Sequence, residues 1–297
     1  MLAKIFKIGT SLAIICGFVS IISTKRSIRY AARATYDGSR FRGWQDQGNL
    51  KQRTVQGVLS KMLSRRFNYD VYVTGSSRTD VGVHAKGQGV HFDLNHEVED
   101  LAQLQKSLNQ MLPDDVRLYN ISLAPKEKSE TSRIGELWHA TKSATGKYYS
   151  YTFTTNQYVD PTKRLYCGHI YRPIDLDVLA DCLQQVEGTH DFLAFANRVE
   201  HKVKSYQGKR MSTVRTIHSA RLHDLGQGYY RIDFHLNSAL YKMLRNIVWT
   251  CAAVASSELT RSELEALLAN GCPRTANKIS PAPPEGLCLE HAYYDNY

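Results

Sequence analysis

Arg29-Tyr-Ala-Ala-Arg-Ala-Thr-Tyr36, closed by Asp37-Gly38, is the stretch from which the fold can be read. It reads as a β-strand ended by a strong turn signal. Thr54 stands where it can cap a helix carrying Val55, Val58, Leu59, Met62 and Leu63 on one face. Asp70 to Thr74 is β-branched and aromatic and predicts a strand; Gly89 to Leu94 predicts another. Leu101, Leu104, Leu108 and Met111 mark a second helix that Pro113 stops. Val116 to Leu123 completes the unit as a strand, so the order is β-α-β-β-α-β.

The order repeats further along. Tyr149, Tyr151 and Phe153 alternate with Tyr148, Ser150 and Thr152, the period of a half-buried strand. Leu176, Leu179, Leu183 and Val186 share a helical face. Arg215 to Leu222 and Tyr230 to Leu236 predict two strands, and Leu240, Met243, Leu244, Ile247 and Cys251 a long helical stripe. A short helix follows, with Thr260 and Glu263 spaced as a capping box, and Leu287 to Tyr293 is a last strand. The fold class is therefore α+β, two tandem ferredoxin-like βαββαβ halves whose sheets can pair edge to edge around a cleft. Residues 27–124 form the first half, 125–146 the linker and 147–297 the second half. That fold hosts many functions, so the function has to come from the site.

Composition narrows the field. Hydrophobic residues make up 42% and charged residues 22%, which excludes disorder, collagen and a multi-span membrane protein. A chain of 297 residues buries roughly 75% of its unfolded surface and needs no disulfide or metal to hold a core. Cys16, Cys167, Cys182, Cys251, Cys272 and Cys288 form no C-x-x-C pair and read as free thiols in a reducing compartment. The net charge is +10, but six basic residues and no acidic one precede Asp37; from Asp37 onward 32 basic residues face 28 acidic ones. A body at +4 suits a polyanion partner or a slightly basic soluble enzyme equally well.

Residues 1–26 read as a targeting or signal-like extension. Ile8 to Ser23 is apolar and flanked by Lys4, Lys7, Lys25, Arg26 and Arg29. It is short and interrupted for a membrane span, which needs about 20 apolar residues. Its lack of acids suits organelle import, to a mitochondrion or, alternatively, a plastid; its apolar character also suits a membrane anchor.

The densest polar cluster is Thr74-Gly-Ser-Ser-Arg-Thr-Asp-Val-Gly-Val-His-Ala-Lys-Gly-Gln88, between two expected strands. Such a loop is costly to order unless it serves a site. Gly82 and Gly87 permit backbone turns. Asp80, beside Arg78, can act as a nucleophile or base, or merely stabilise a turn.

Tyr36-Asp-Gly-Ser-Arg-Phe-Arg-Gly-Trp-Gln45, Thr54-Val-Gln-Gly57 and Ser77-Arg-Thr-Asp-Val-Gly-Val-His-Ala85 resemble tRNA pseudouridine synthases of the TruA type. The resemblance continues through Trp138-His-Ala140, Lys147-Tyr-Tyr-Ser-Tyr151, Gly188-Thr-His-Asp-Phe192, Leu240-Tyr-Lys-Met-Leu-Arg-Asn246 and Ala282-Pro-Pro-Glu-Gly-Leu287. These blocks keep the family's order and cover nearly all of the chain beyond the extension.

The resemblance implies an isomerase that breaks the N1–C1′ bond of a tRNA uridine, turns the base and rejoins it through C5. It implies positions 38 to 40 in the anticodon arm, a homodimer, no metal or organic cofactor, and antiparallel sheets flanking a basic RNA-binding cleft. Asp80 matches the catalytic aspartate, Tyr149 the tyrosine that stacks on the target uracil, and Arg245 the arginine that pairs with the aspartate and lowers its pKa. Arg78 matches an arginine that helps hold the target nucleotide out of its helix. By the residues alone, Arg245 reads as a solvated position on an amphipathic helix, and Tyr149 as a half-buried strand tyrosine.

His84 is a candidate contact to the RNA backbone or a residue that packs the turn. Lys142, Lys147, Lys202, Lys204, Lys209 and Arg210 are candidate phosphate contacts. The chain departs from the family pattern at Ser77, Val81, Thr141, Lys147, Ala239, Trp249 and Pro284, which leaves open a non-catalytic RNA-binding protein or tRNA chaperone on the same scaffold.

Overall fold

A computed structural model describes residues 27–48, 52–125, 137–198, 212–269, 271–295 and 297. The extension 1–26 and the basic stretch His201 to Arg210 lie outside the described residues. No helix among the described residues is long and apolar enough to cross a membrane.

The elements run β1 (Ile28–Tyr36), α1 (Val55–Phe67), β2 (Thr74–Gly75), β3 (His84–Leu94), α2 (Leu101–Met111) and β4 (Val116–Leu123) in the first half. The second half holds β5 (Gly146–Thr154), β6 (Gly168–His169), α3 (Leu176–Gln185), β7 (Gly188–Asp191), β8 (Val214–Gly226), β9 (Tyr229–Leu236), α4 (Met243–Ala255), α5 (Arg261–Leu268) and β10 (Leu287–Tyr293). Thr54 caps α1 by accepting the Gly57 N–H at 3.2 Å. The capping box of α5 is closed in both directions, Thr260 Oγ1 accepting from Glu263 N and Glu263 Oε2 from Thr260 N.

All ten strands join one sheet, ordered β4-β1-β3-β10-β5-β9-β8-β7, with β2 also on β3 and β6 on β5. Within it β4-β1-β3-β2 and β10-β5-β9-β8 each follow the ferredoxin-like order, and each is antiparallel. The halves meet edge to edge through a short parallel pairing, Cys288 opposite His84 and Leu289 opposite Ala85. One core cluster runs across that seam, from Leu59, Phe92 and Val90 through Tyr149 and Leu289 to Phe234 and Ile247.

Three elements differ from the sequence expectation. The strand expected over Asp70 to Thr74 shrinks to Thr74–Gly75, because the Val71 and Val73 N–H groups donate to Ser64 Oγ and Ser60 Oγ of α1 instead of to a strand. The strand expected from Gly89 begins at His84, because β10 and β1 both supply it with partners from there. Gly87 is therefore a strand residue rather than a turn: a Cβ there would lie 2.5 Å from the Glu290 carbonyl oxygen of β10. Gly82 does make the expected turn, at φ +81°. The end of the 125–146 segment is packed down, with the Trp138 ring buried 4.9 Å from Tyr294.

Gly87→Val tests this close approach at the seam. It should destabilise the chain by about 1–3 kcal/mol through overpacking, read as a lower urea midpoint with an unchanged slope.

Candidate active site

The cluster from Thr74 to Asp80 forms one wall of a cavity of about 680 Å³. β5 forms the floor with Lys147 and Tyr149, and the start of α4 with the residues before it closes the opposite side. Loop and helix come from different halves, so the cavity exists only because β10 lies beside β3.

Asp80 lines it and meets Arg245 at its edge. Arg245 Nη1 donates to Asp80 Oδ2 at 2.9 Å, and both side chains are about nine-tenths buried, at 10% and 11% exposure. Arg245 Nε donates to the Ala282 carbonyl at 2.6 Å, so the guanidinium is held from both sides. Asp80 Oδ1 has no hydrogen-bond partner among the described residues, which leaves one carboxylate oxygen for chemistry. Arg245 is thus not a solvated helix position: α4 is buried on nearly every side. Arg245 does pull the Asp80 pKa down as expected, but burial outweighs it. Burial raises the carboxyl above its ordinary 3.8, and the Arg245 charge, its hydrogen bond and the Lys242 charge offset only part of that.

Tyr149 is buried in the cavity wall, and its hydroxyl pairs with Ser77 Oγ at 3.0 Å. Burial pushes the phenol up to about 12, so it stays neutral and presents an uncharged ring. Tyr151, two residues on, is fully buried and donates to the Pro283 carbonyl at 3.0 Å. The loop is held from beneath: Gln88 Oε1 accepts from Ser76 Oγ and Ser77 N, and Gln88 Nε2 donates to the Ser77 carbonyl at 2.6 Å. Arg78, by contrast, is exposed at the cavity rim.

His84 does not reach the cavity. Its Nδ1 accepts the Gly38 N–H at 3.0 Å, and its ring lies 4.9 Å from Tyr166. Asp37 Oδ1 is 3.3 Å from the same nitrogen, yet burial lowers the ring's pKa and that nitrogen is already accepting, so the contact is not an ion pair. The geometry gives His84 the turn-packing role. Lys147 is buried, its Nζ donating to the Ser76 carbonyl at 3.1 Å. Lys142 lines the cavity.

Sequence reasoning missed Lys242 and Arg215, which also line the cavity. Lys242 stands at the N-cap of α4 with φ +63°, a left-handed backbone rare for lysine. Such strain collects at functional sites, but lysine carries no local signal for it.

A basic cavity between tandem ferredoxin-like halves, with a buried aspartate held by an arginine, suits an enzyme that acts on an anionic substrate such as a nucleic acid. The chain matches the family model described as tRNA pseudouridine synthase over residues 32–130 and 182–295. It is 35% identical to tRNA pseudouridine synthase A 1 of Protochlamydia amoebophila over 269 residues, which is 90% of this chain and 96% of that protein. It is 34% identical to tRNA pseudouridine synthase A of Ligilactobacillus salivarius over 270 residues, again 90% and 96%. The chain belongs to the TruA family of tRNA pseudouridine synthases and is an isomerase.

Arg245→Met isolates the pair. Stranding a buried charge typically costs about 3–5 kcal/mol, so the variant should unfold at lower urea near neutral pH. Acidification should recover part of that loss, because protonating Asp80 removes the stranded charge. A loss independent of pH would assign the effect to the Ala282 contact instead.

Proposed function

We propose that Asp80 is the catalytic carboxylate of a synthase that converts uridine to pseudouridine at positions 38 to 40 of the anticodon arm. The observation that carries this reading is the buried Asp80–Arg245 pair, with one carboxylate oxygen unbonded beside the Tyr149 ring. Arg245 orients the carboxylate and keeps enough of it ionised at neutral pH to act on the sugar or to take a proton. The uracil stacks on Tyr149, an interaction worth about 1–3 kcal/mol for a base on an aromatic face. Arg78, free at the rim, fills the space the extruded nucleotide leaves and lowers the cost of flipping it. In the reaction N1 leaves C1′ with the bonding electron pair, the detached base turns, C5 bonds to C1′, the C5 hydrogen is released as a proton, and N1 takes up a proton.

The remaining parts of the reading concern assembly and place. The protein acts as a homodimer and is imported into the mitochondrion through residues 1–26, whose apolar run lies between basic flanks with no acid before Asp37. A dimer mass in light scattering and a mitochondrial fraction in cells would support these two statements; a monomer, or a plastid or membrane-bound fraction, would refute the corresponding one.

Tritium release from tRNA labelled at C5 of uridine reads the reaction directly. Release from substrates with uridine only at positions 38, 39 or 40 should fall by at least about a thousandfold in Asp80→Ala. In the wild type, kcat/KM should decline on the acid side through a pKa above 3.8. Arg245→Gln should move that limb to still higher pH, since Arg245 is what lowers the carboxyl. Undiminished release by Asp80→Ala would sink the assignment.

A further inference from the structure

The cavity holds more positive charge than its carboxylate can answer. Among the described residues Asp80 is the one acidic residue lining it, and Asp80 is taken by Arg245. Lys147 on β5 and Arg215 on β8 line it as well. Lys147 is opposite Leu236 of β9, and Leu236 is opposite Ile217 of β8. Directly paired residues share a sheet face, and so does a residue two positions away on a strand. Lys147 and Arg215 therefore occupy one face of three adjoining strands.

Neither has a carboxylate within ion-pair distance among the described residues. Lys147 is 8% exposed and makes a single hydrogen bond, to the Ser76 carbonyl. Arg215 Nη1 donates to the Ser212 and Val214 carbonyls at 2.9 and 2.6 Å, while its Nε is buried with no partner. Burial, and then the Arg215 charge, bring the Lys147 ammonium down to about 8. A buried lysine beside a half-buried arginine, with no anion among the described residues, is costly for a protein that needs them only for its own packing. The cost is understandable if the ligand brings the anion. An RNA strand entering the cavity carries its negative charge on phosphodiesters, and uracil itself is neutral.

We propose that Lys147 and Arg215 together clamp one backbone phosphodiester of the substrate RNA, adjacent to the nucleotide delivered to Asp80. The assignment rests on the reading of the Asp80 cavity given above. The Lys147 ammonium reaches the phosphate from the floor, with Ser76 holding its stem in place. The Arg215 guanidinium, with its Nε proton still unspent, takes the other side. This phosphate fixes the register of the strand, so that the base beside it falls over Tyr149. Such a contact positions the RNA without reading its sequence.

The test is a set of anticodon-arm RNAs, each with one methylphosphonate, which removes a single charge, walked through the phosphates around the target uridine. They are bound by the full-length wild type, Lys147→Met and Arg215→Met. One position should weaken wild-type binding about tenfold and have no further effect in either variant, whereas every other position adds to the variants' own loss. Lys147→Arg should retain the coupling. Each Met variant should also lower the slope of log Kd against log salt by about 1. The RNA-free Lys147→Met protein should melt at a higher temperature, because an uncompensated buried charge is gone. A lysine kept only for packing gives a lower melting temperature and no coupling.

Additive effects at every phosphate, or unchanged RNA binding by both Met variants, would overturn the clamp. If Lys147→Met does not fold, Arg215→Met carries the same cycle. C5-tritium release by the wild type on the unmodified arm separates the two readings: release without coupling sinks the clamp alone, and coupling without release sinks the site assignment alone.

Discussion

The contact between Asp80 and Arg245 ties the molecule's parts together. Asp80 lies within a loop of the first half, and Arg245 lies in the first turn of a helix of the second. Nothing local to either half would place a carboxylate and a guanidinium 2.9 Å apart inside a protein. They meet because β10, the last strand of the chain, lies parallel to β3 and docks the second half against the first. Gly87 lets that docking happen, since any side chain there would strike the β10 backbone. The Arg245 helix is in turn fixed by a buried polar network, Asn246 donating to Asn197 Oδ1 and to the Phe195 carbonyl. Seam, helix and ion pair form one dependent series.

Placing a catalytic carboxylate this way has an electrostatic cost that the structure offsets only in part. Burial raises the Asp80 pKa, and the Arg245 and Lys242 charges restrain it. Lys147 is buried and Arg215 half-buried, with no acid among the described residues to answer them. Lys242 holds a left-handed backbone. Groups that a stability argument would remove are thus concentrated around one cavity, as expected where a polyanionic substrate completes the site rather than the protein.

Most elements were legible because they depend on short-range pattern. Period-2 alternation announced β5 and β9, capping residues announced α1 and α5, and the repeated βαββαβ order announced the tandem architecture. The failures have a shared cause. The strand before Thr74 was absorbed by hydroxyls of α1, 7 and 13 residues away in sequence. The start of β3 was hidden by glycines that carry no hydrophobic signal, though β10 pairs with that very stretch. Of the two roles the sequence left open for His84, RNA contact or turn packing, only tertiary neighbours could choose, and its ring packs toward Gly38 and Tyr166.

The sequence by itself determined the kinds of element, their order, and the chemical parts of the site: an aspartate in an Arg-Thr-Asp loop, a strand tyrosine and a helix arginine in the order of the TruA family. These follow from periodicity, capping and residue type, all encoded within a few neighbours. Tertiary structure alone decided which groups face one cavity, that Arg245 is buried rather than solvated, that burial outweighs its pull on the Asp80 proton, and that Lys147 and Arg215 adjoin without a counter-ion among the described residues. Each of these depends on distance and dielectric between residues far apart in the chain, and those quantities exist only once β3 and β10 lie side by side.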